Sequence, residues 1–180
     1  MGFWGFYDDE NDSVADEWAY IESEIFPNNT TNRKMSNGDL NNLRRQYVVE
    51  NPKKVYETIK KHIAVFEKNL ETYYEEDSEN MNENEWIEHM HISGLALKAV
   101  RVFLNSPQSD PLGSGIFKTS IPAELPKDFP EWLRINALKS TEFLLDTAEY
   151  QEFSNLQHRK QSLLCQMYLF SKGKKGKTCN

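Results

Sequence analysis

Cysteine, histidine and glycine are scarce in this chain: two, four and eight in 180 residues. Two cysteines cannot build a disulfide framework. No positively charged n-region followed by an apolar h-region opens the chain, so an intracellular setting and reduced thiols are expected. On that reading Cys165, beside Leu163, Leu164 and Met167, is a small buried hydrophobe, and Cys179 belongs to the tail. No apolar run approaches the ~20 residues that a membrane-spanning helix requires. Gly-x-Ser-x-Gly, Cys-x-x-Cys and a glycine-rich phosphate loop are all missing, which removes the common nucleophile-elbow, redox and nucleotide signatures. No stretch alternates apolar and polar residues as a half-buried strand would, and no internal repeat is visible. Gly2 does not start a myristoylation motif, because Phe6 stands where Ser or Thr is needed.

Positive charge is also short. Lys and Arg total 21 against 28 Asp and Glu, a net charge of −7. A field of that sign repels phosphate, so neither non-specific nucleic-acid binding nor adhesion to an anionic membrane is expected. The lysines of the last nine residues, Lys172, Lys174, Lys175 and Lys177, read as a solvated basic tail. Lysine outnumbers arginine and asparagine is abundant, a bias typical of AT-rich genomes such as those of low-GC bacteria, protists and large DNA viruses.

What the chain does have is an aromatic opening and strong helical periodicity. Phe3, Trp4, Phe6 and Tyr7 crowd around Gly5, then Asp8, Asp9, Glu10 and Asp12 turn the chain acidic. Buried aromatic rings each remove on the order of 150–250 Å² from water, so this segment is expected to pack on a helical body. Asn11 or Asp12 can cap a helix that carries Val14, Trp18, Ile21 and Ile25 on one face and stops at Pro27. A polar loop over 28–38 precedes a short helix with Leu40, Leu43 and Tyr47. Asn51-Pro52 reads as cap and first position of a long helix with Val55, Ile59, Ile63, Phe66 and Leu70 on one side.

An acidic loop over 75–84 leads to a helix from about Trp86 to Leu104, apolar over most of its circumference and therefore expected at the centre. Residues 106–128, rich in proline and glycine, read as an irregular connection. Asp128-Phe129-Pro130 repeats the cap-then-proline pattern before a helix through Trp132, Ile135, Leu138 and Leu145. A last helical region runs to Phe170, and 173–180 reads as a disordered basic tail. The expected fold is all-α: one compact domain over 1–172, of about five or six helices, with the aromatic N-terminal segment packed on the bundle.

The opening Met-Gly-Phe-Trp-Gly, with Asp9-Glu10-Asn11-Asp12 and Asp16-Glu17-Trp18 after it, resembles a mainly bacterial family of unknown function. Its members begin Met-Gly-x-Trp-Gly and continue through an acidic Asn-Asp…Asp-Trp run into a helix. The stretch from Pro122 through Leu125-Pro126 to Trp132 is similar to that family's second half, and the longer middle looks like an insertion. The resemblance implies a small helical domain and a signature of Trp4, Gly5, Asp12, Asp16, Trp18 and Trp132. It implies no catalytic residue, cofactor or reaction.

Three features remain as candidate chemistry. Asp8, Glu10 and Asp12 alternate like the first ligands of a calcium loop, but Ser13 and Ala19 stand where glycine and a bidentate Glu are required, which excludes an EF-hand. Glu85, Glu88, His89 and His91 lie in Glu-Trp-Ile-Glu-His-Met-His. Glu88 and His91 have the i, i+3 spacing of a carboxylate-bridged metal pair, without the second copy that such sites need. The bland reading of these four is polar helix surface, with no metal and no cofactor. The aromatic opening is either a plug that completes the core or an exposed anchor for a partner. The function expected is a non-enzymatic interaction module whose acidic surface suits a basic protein partner. The alternatives are a metal-dependent, hydrolase-like enzyme at Glu85, Glu88, His89 and His91, and a structural or packaged component.

Overall fold

Asn11 decides where the first helix begins. Its side-chain oxygen accepts a hydrogen bond from the Val14 amide at 2.9 Å, satisfying one of the free N–H groups of the first turn. Helix α1, Asp12–Ile25, follows, with Val14, Trp18, Ile21 and Ile25 buried as their spacing predicts. The computed structural model describes residues 4–26, 37–75, 83–103, 121 and 124–171. The residues expected as a loop over 28–36, most of the acidic 75–84 connection, most of 106–123 and the 173–180 tail lie outside them.

Helix α2 spans Asn37–Glu50, α3 Pro52–Glu75, α4 Glu83–Phe103, α5 Glu131–Asp146 and α6 Leu156–Phe170, with a 3-10 turn at Ala148–Tyr150 between the last two. Among the described residues there are six α-helices and no β-strand, and the fold is all-α. Two of the expected loops are shorter than their polarity predicts. Asn37 and Gly38 already belong to α2, and Glu83 and Glu85 to α4. Two expected caps also act differently. Asn51 stands at the capping position before Pro52 as expected, and its carbonyl accepts the Val55 amide at 3.2 Å, but its side chain reaches back to the Tyr47 carbonyl at 2.9 Å and closes α2. At α5 the capping position is Pro130, with no side-chain hydrogen bond, and Asp128 is exposed in the preceding turn.

Helix α4 packs against α1, α2, α3 and α5, the central position that its broad apolar surface predicts. Ile92, Leu95, Ala96, Leu97, Ala99 and Val100 are buried there together with Val55, Ile59 and Ile63 of α3, Leu133 and Ala137 of α5, and Leu169 and Phe170 of α6. Each such large aliphatic side chain contributes about 1.5–3 kcal/mol by leaving water. A second, smaller core of Met90, Leu144, Ala148 and Leu163 fills another part of the α4–α5–α6 assembly. Ile121 and Leu125 of the irregular connection pack against the main core, as does Trp132 under the Lys60 ammonium, 5.5 Å from the ring centroid. Cys165 is buried, but as half of a disulfide and not as the expected free thiol, with its partner outside the described residues.

Candidate functional site

The polar groups that the apolar pattern does not explain gather under the N-terminal turn, where α4, α5 and α6 meet. Asp8 and Arg159 have no exposed surface, and Arg159 Nη2 stands 2.5 Å from Asp8 Oδ1 as an ion pair. The other carboxylate oxygen accepts from Ser93 Oγ at 2.6 Å and from Gln166 Nε2. Gln166 reads the segment a second time: its Oε1 accepts the Asp8 amide at 2.9 Å, while Nε2 also donates to Ser93 Oγ at 3.0 Å. Ser93 lies 2.8 Å from Thr141 Oγ1 on α5. Arg159 Nη1 donates to the Phe6 carbonyl at 2.9 Å, its Nε donates to Gln151 Oε1 at 3.3 Å, and its guanidinium covers the Phe153 ring. A charge pair this dry persists only with further polar contacts around it, and Ser93, Gln166, Gln151 and the Phe6 carbonyl supply them.

A second pair extends the anchor. Arg101 Nε of α4 stands 2.8 Å from Asp9 Oδ2, its guanidinium lies over Tyr7 at 5.3 Å, and Glu10 comes within 4.0 Å of Nη2. Burial pushes the Asp9 carboxyl above its ordinary range, with Arg101 and then Lys98 opposing the rise. Burial likewise raises Glu10, and the neighbouring Asp9 adds to the rise. The backbone folds back on itself: the Trp4 amide donates to the Glu10 carbonyl at 3.1 Å, and the Glu10 amide to Tyr7 at 3.0 Å. Gly94 on α4 makes room for this turn. A Cβ there would stand 2.6 Å from the Asp8 carbonyl oxygen and 2.8 Å from Val14 Cγ2.

The signature residues divide accordingly. Trp18 is buried and donates to Glu22 at 3.1 Å, and Trp132 is partly buried against the core. The atoms nearest a Cβ on Gly5 would all belong to the Glu10 side chain. Asp12 and Asp16 are exposed on α1. Trp4 corrects the expectation of a core plug: it is 52% exposed. The segment is anchored by charge and hydrogen bonds at Asp8 and Asp9, and of its aromatics Tyr7 packs on the core while Phe6 meets His158 edge-on at 5.4 Å. Asp8 and Asp9 are both buried on arginines and add nothing to an acidic surface.

The four residues of the Glu-Trp-Ile-Glu-His-Met-His stretch do not converge. His89 is buried toward α5, stacked on Phe143 at 4.0 Å with Nδ1 3.0 Å from Ser140 Oγ, and burial pushes its pKa down to about 4. His91 faces α3, stacked on Phe66 at 4.5 Å, and its Nδ1 donates to the Ile87 carbonyl at 2.8 Å. Residues two apart on a helix diverge by about 200°, so the two imidazoles serve different neighbours. Glu88 shares the α3-facing side but accepts from Asn69 Nδ2 at 2.9 Å, and burial raises the Glu85 carboxyl. Among the described residues no group of three or more His, Cys, Asp and Glu side chains is placed to hold a metal, and no helix is long and apolar enough to cross a membrane.

Sequence reasoning missed Ser93, Gly94, Arg101, Thr141, Arg159 and Gln166. Ser93, Arg101, Thr141 and Gln166 carried one signal, polar identity inside otherwise apolar helical faces, and Arg159 and Gly94 carried none. No family model, curated protein or solved structure matches the chain.

Proposed function

We propose that this protein is a non-enzymatic interaction module and that Trp4 is one of its contact residues. One observation carries the reading: Trp4 is half in water although the segment beside it is held by buried arginines. A large aromatic that adds little to the fold loses side-chain packing that it could have had, and tryptophan is among the residues that dominate interface energetics. Because the turn is already ordered, a partner would lose little conformational entropy in fixing it. The resemblance of the opening to a family beginning Met-Gly-x-Trp-Gly agrees with a role for this tryptophan, and membership of that family is part of the proposal. The hydrolase-like alternative draws no support from Glu85, Glu88, His89 and His91, since the side chains of the last three serve separate partners.

The test is affinity capture from an extract of the native source with the wild-type protein and Trp4→Ala side by side, read by quantitative mass spectrometry. A partner retained by the wild type and lost from an equally stable Trp4→Ala protein supports the reading. Identical capture by both refutes a contact at Trp4.

A further inference from the structure

The boundary between α1 and α3 is closed by an imidazole held between two carboxylates. Glu17 and Glu24 lie two turns apart on one face of α1, separated by a rise of about 10 Å. The His62 ring of α3 sits between them: Nδ1 is 2.5 Å from Glu17 Oε1, and Nε2 is 3.2 Å from Glu24 Oε1. The His62 side chain is 13% exposed, so the ring is mostly removed from water. Lys61 Nζ donates to both oxygens of Glu24, at 3.1 and 2.9 Å. Lys61 first, and His62 behind it, hold the Glu24 carboxyl below its ordinary range. The charged groups facing the ring are therefore Glu17 and Glu24 from α1 and Lys61 from its own helix. Glu22 of α1 turns instead to Arg44 of α2, at 3.4 Å.

A neutral imidazole has one N–H and one lone pair; only the imidazolium donates from both nitrogens. A carboxylate at each nitrogen is therefore satisfied only by the protonated ring. With one proton gone, the closer contact at Glu17 keeps the remaining N–H, and the Nε2 lone pair faces the Glu24 carboxylate, acceptor against acceptor. We infer that His62 is a proton-operated latch between α1 and α3, tying Glu17 and Glu24 together while its ring carries both protons and releasing Glu24 when one leaves. The latch contributes stability while the ring is protonated and loses it as pH rises through the histidine range, ordinarily about 6.5. That is the reverse of His89, which burial holds neutral. The element affected is the last turn of α1, where Glu24 is followed by the buried Ile25 and Phe26. Lys61 holds Glu24 in both states, so the release loosens that turn and does not detach the helix. The inference stands apart from the contact role of Trp4.

The experiment is amide hydrogen exchange of the full chain at about pH 5.5 and about pH 8.5, expressed at each pH as protection over the free-peptide rate. In the wild type the amides from Ile21 to Ile25, relative to those of α4, should be roughly threefold better protected at the lower pH, the size of a partly exposed ion pair. His62→Gln has no ring to titrate and should remove the difference. In Glu24→Gln the carboxamide can turn to donate to the unprotonated Nε2. Protection in that variant should be the same at both pH values, and no lower than wild type at the higher one. Glu24 is exposed, so the test stands on this variant alone if His62→Gln does not fold. Equal protection of the wild type at both pH values overturns the inference. So does a threefold difference that persists in His62→Gln or in Glu24→Gln.

Discussion

Asp8 and Arg159, both without exposed surface, meet at 2.5 Å and join the two ends of the chain. Through this contact the N-terminal turn becomes part of the bundle: Ser93, Gln166 and the Phe6 carbonyl all bond to one member or the other. Removing one partner leaves the other charged and dry. Asp8→Ala and Arg159→Ala should therefore each cost about 3–5 kcal/mol. The double variant should cost clearly less than the two losses together, since the strandings are shared. Urea titration of the four proteins checks this, and additive losses would mean that the pair does not act as a unit.

Gly94→Ala should be expensive. At Gly94 the new methyl meets the Asp8 carbonyl, a backbone atom that four surrounding contacts hold in place. Overpacking of that kind costs about 1–3 kcal/mol or more, enough to outweigh the gain in helix propensity from Gly to Ala. Thermal melts of the wild type and Gly94→Ala check this; equal Tm values would contradict the close approach of the turn to α4.

Trp4→Ala should lower stability by less than about 1 kcal/mol, as for an exposed position. The sequence alone points the other way, because aromatic density and a neighbouring glycine look like a core plug. What decides the matter is distant: the segment is anchored at Asp8, by a residue 158 positions away in the case of Gln166. Sequence spacing carries no trace of such a pairing. The helices themselves were legible, since Val14, Trp18, Ile21 and Ile25, or Val55, Ile59 and Ile63, report burial through a short local period. Arg159 sits in His-Arg-Lys-Gln, where every neighbour argues for solvent, and Gly94 resembles any other weak point in a helix. Asn51 and Asp128 make no side-chain cap for a related reason: the residue type permits a cap, but the backbone around it assigns the bond.

His89 should make the protein sensitive to acid. Its folded-state pKa is pushed down to about 4 by burial, below an ordinary value of 6.5. A depressed histidine contributes stability that is fully present above pH 6.5 and is lost as pH falls toward 4. The loss should reach up to about 3 kcal/mol. Asp9, raised by burial, works in the opposite direction, because its protonation favours the folded state as pH falls. Stability measured at pH 7, 5.5 and 4.5 in the wild type and in His89→Phe isolates the histidine. The wild type should lose more than the variant over that range; parallel curves would mean that His89 is not held neutral.

The anchored turn is the centre of the account, and native-state hydrogen exchange of the Asp8 amide tests it most directly. That N–H donates to Gln166 Oε1 inside the bundle. It should exchange only when the whole domain unfolds, in step with the slowest amides of α4, and should lose that protection in Arg159→Ala. Exchange at the rate of a free peptide in the wild-type protein, with α4 still protected, would contradict the account.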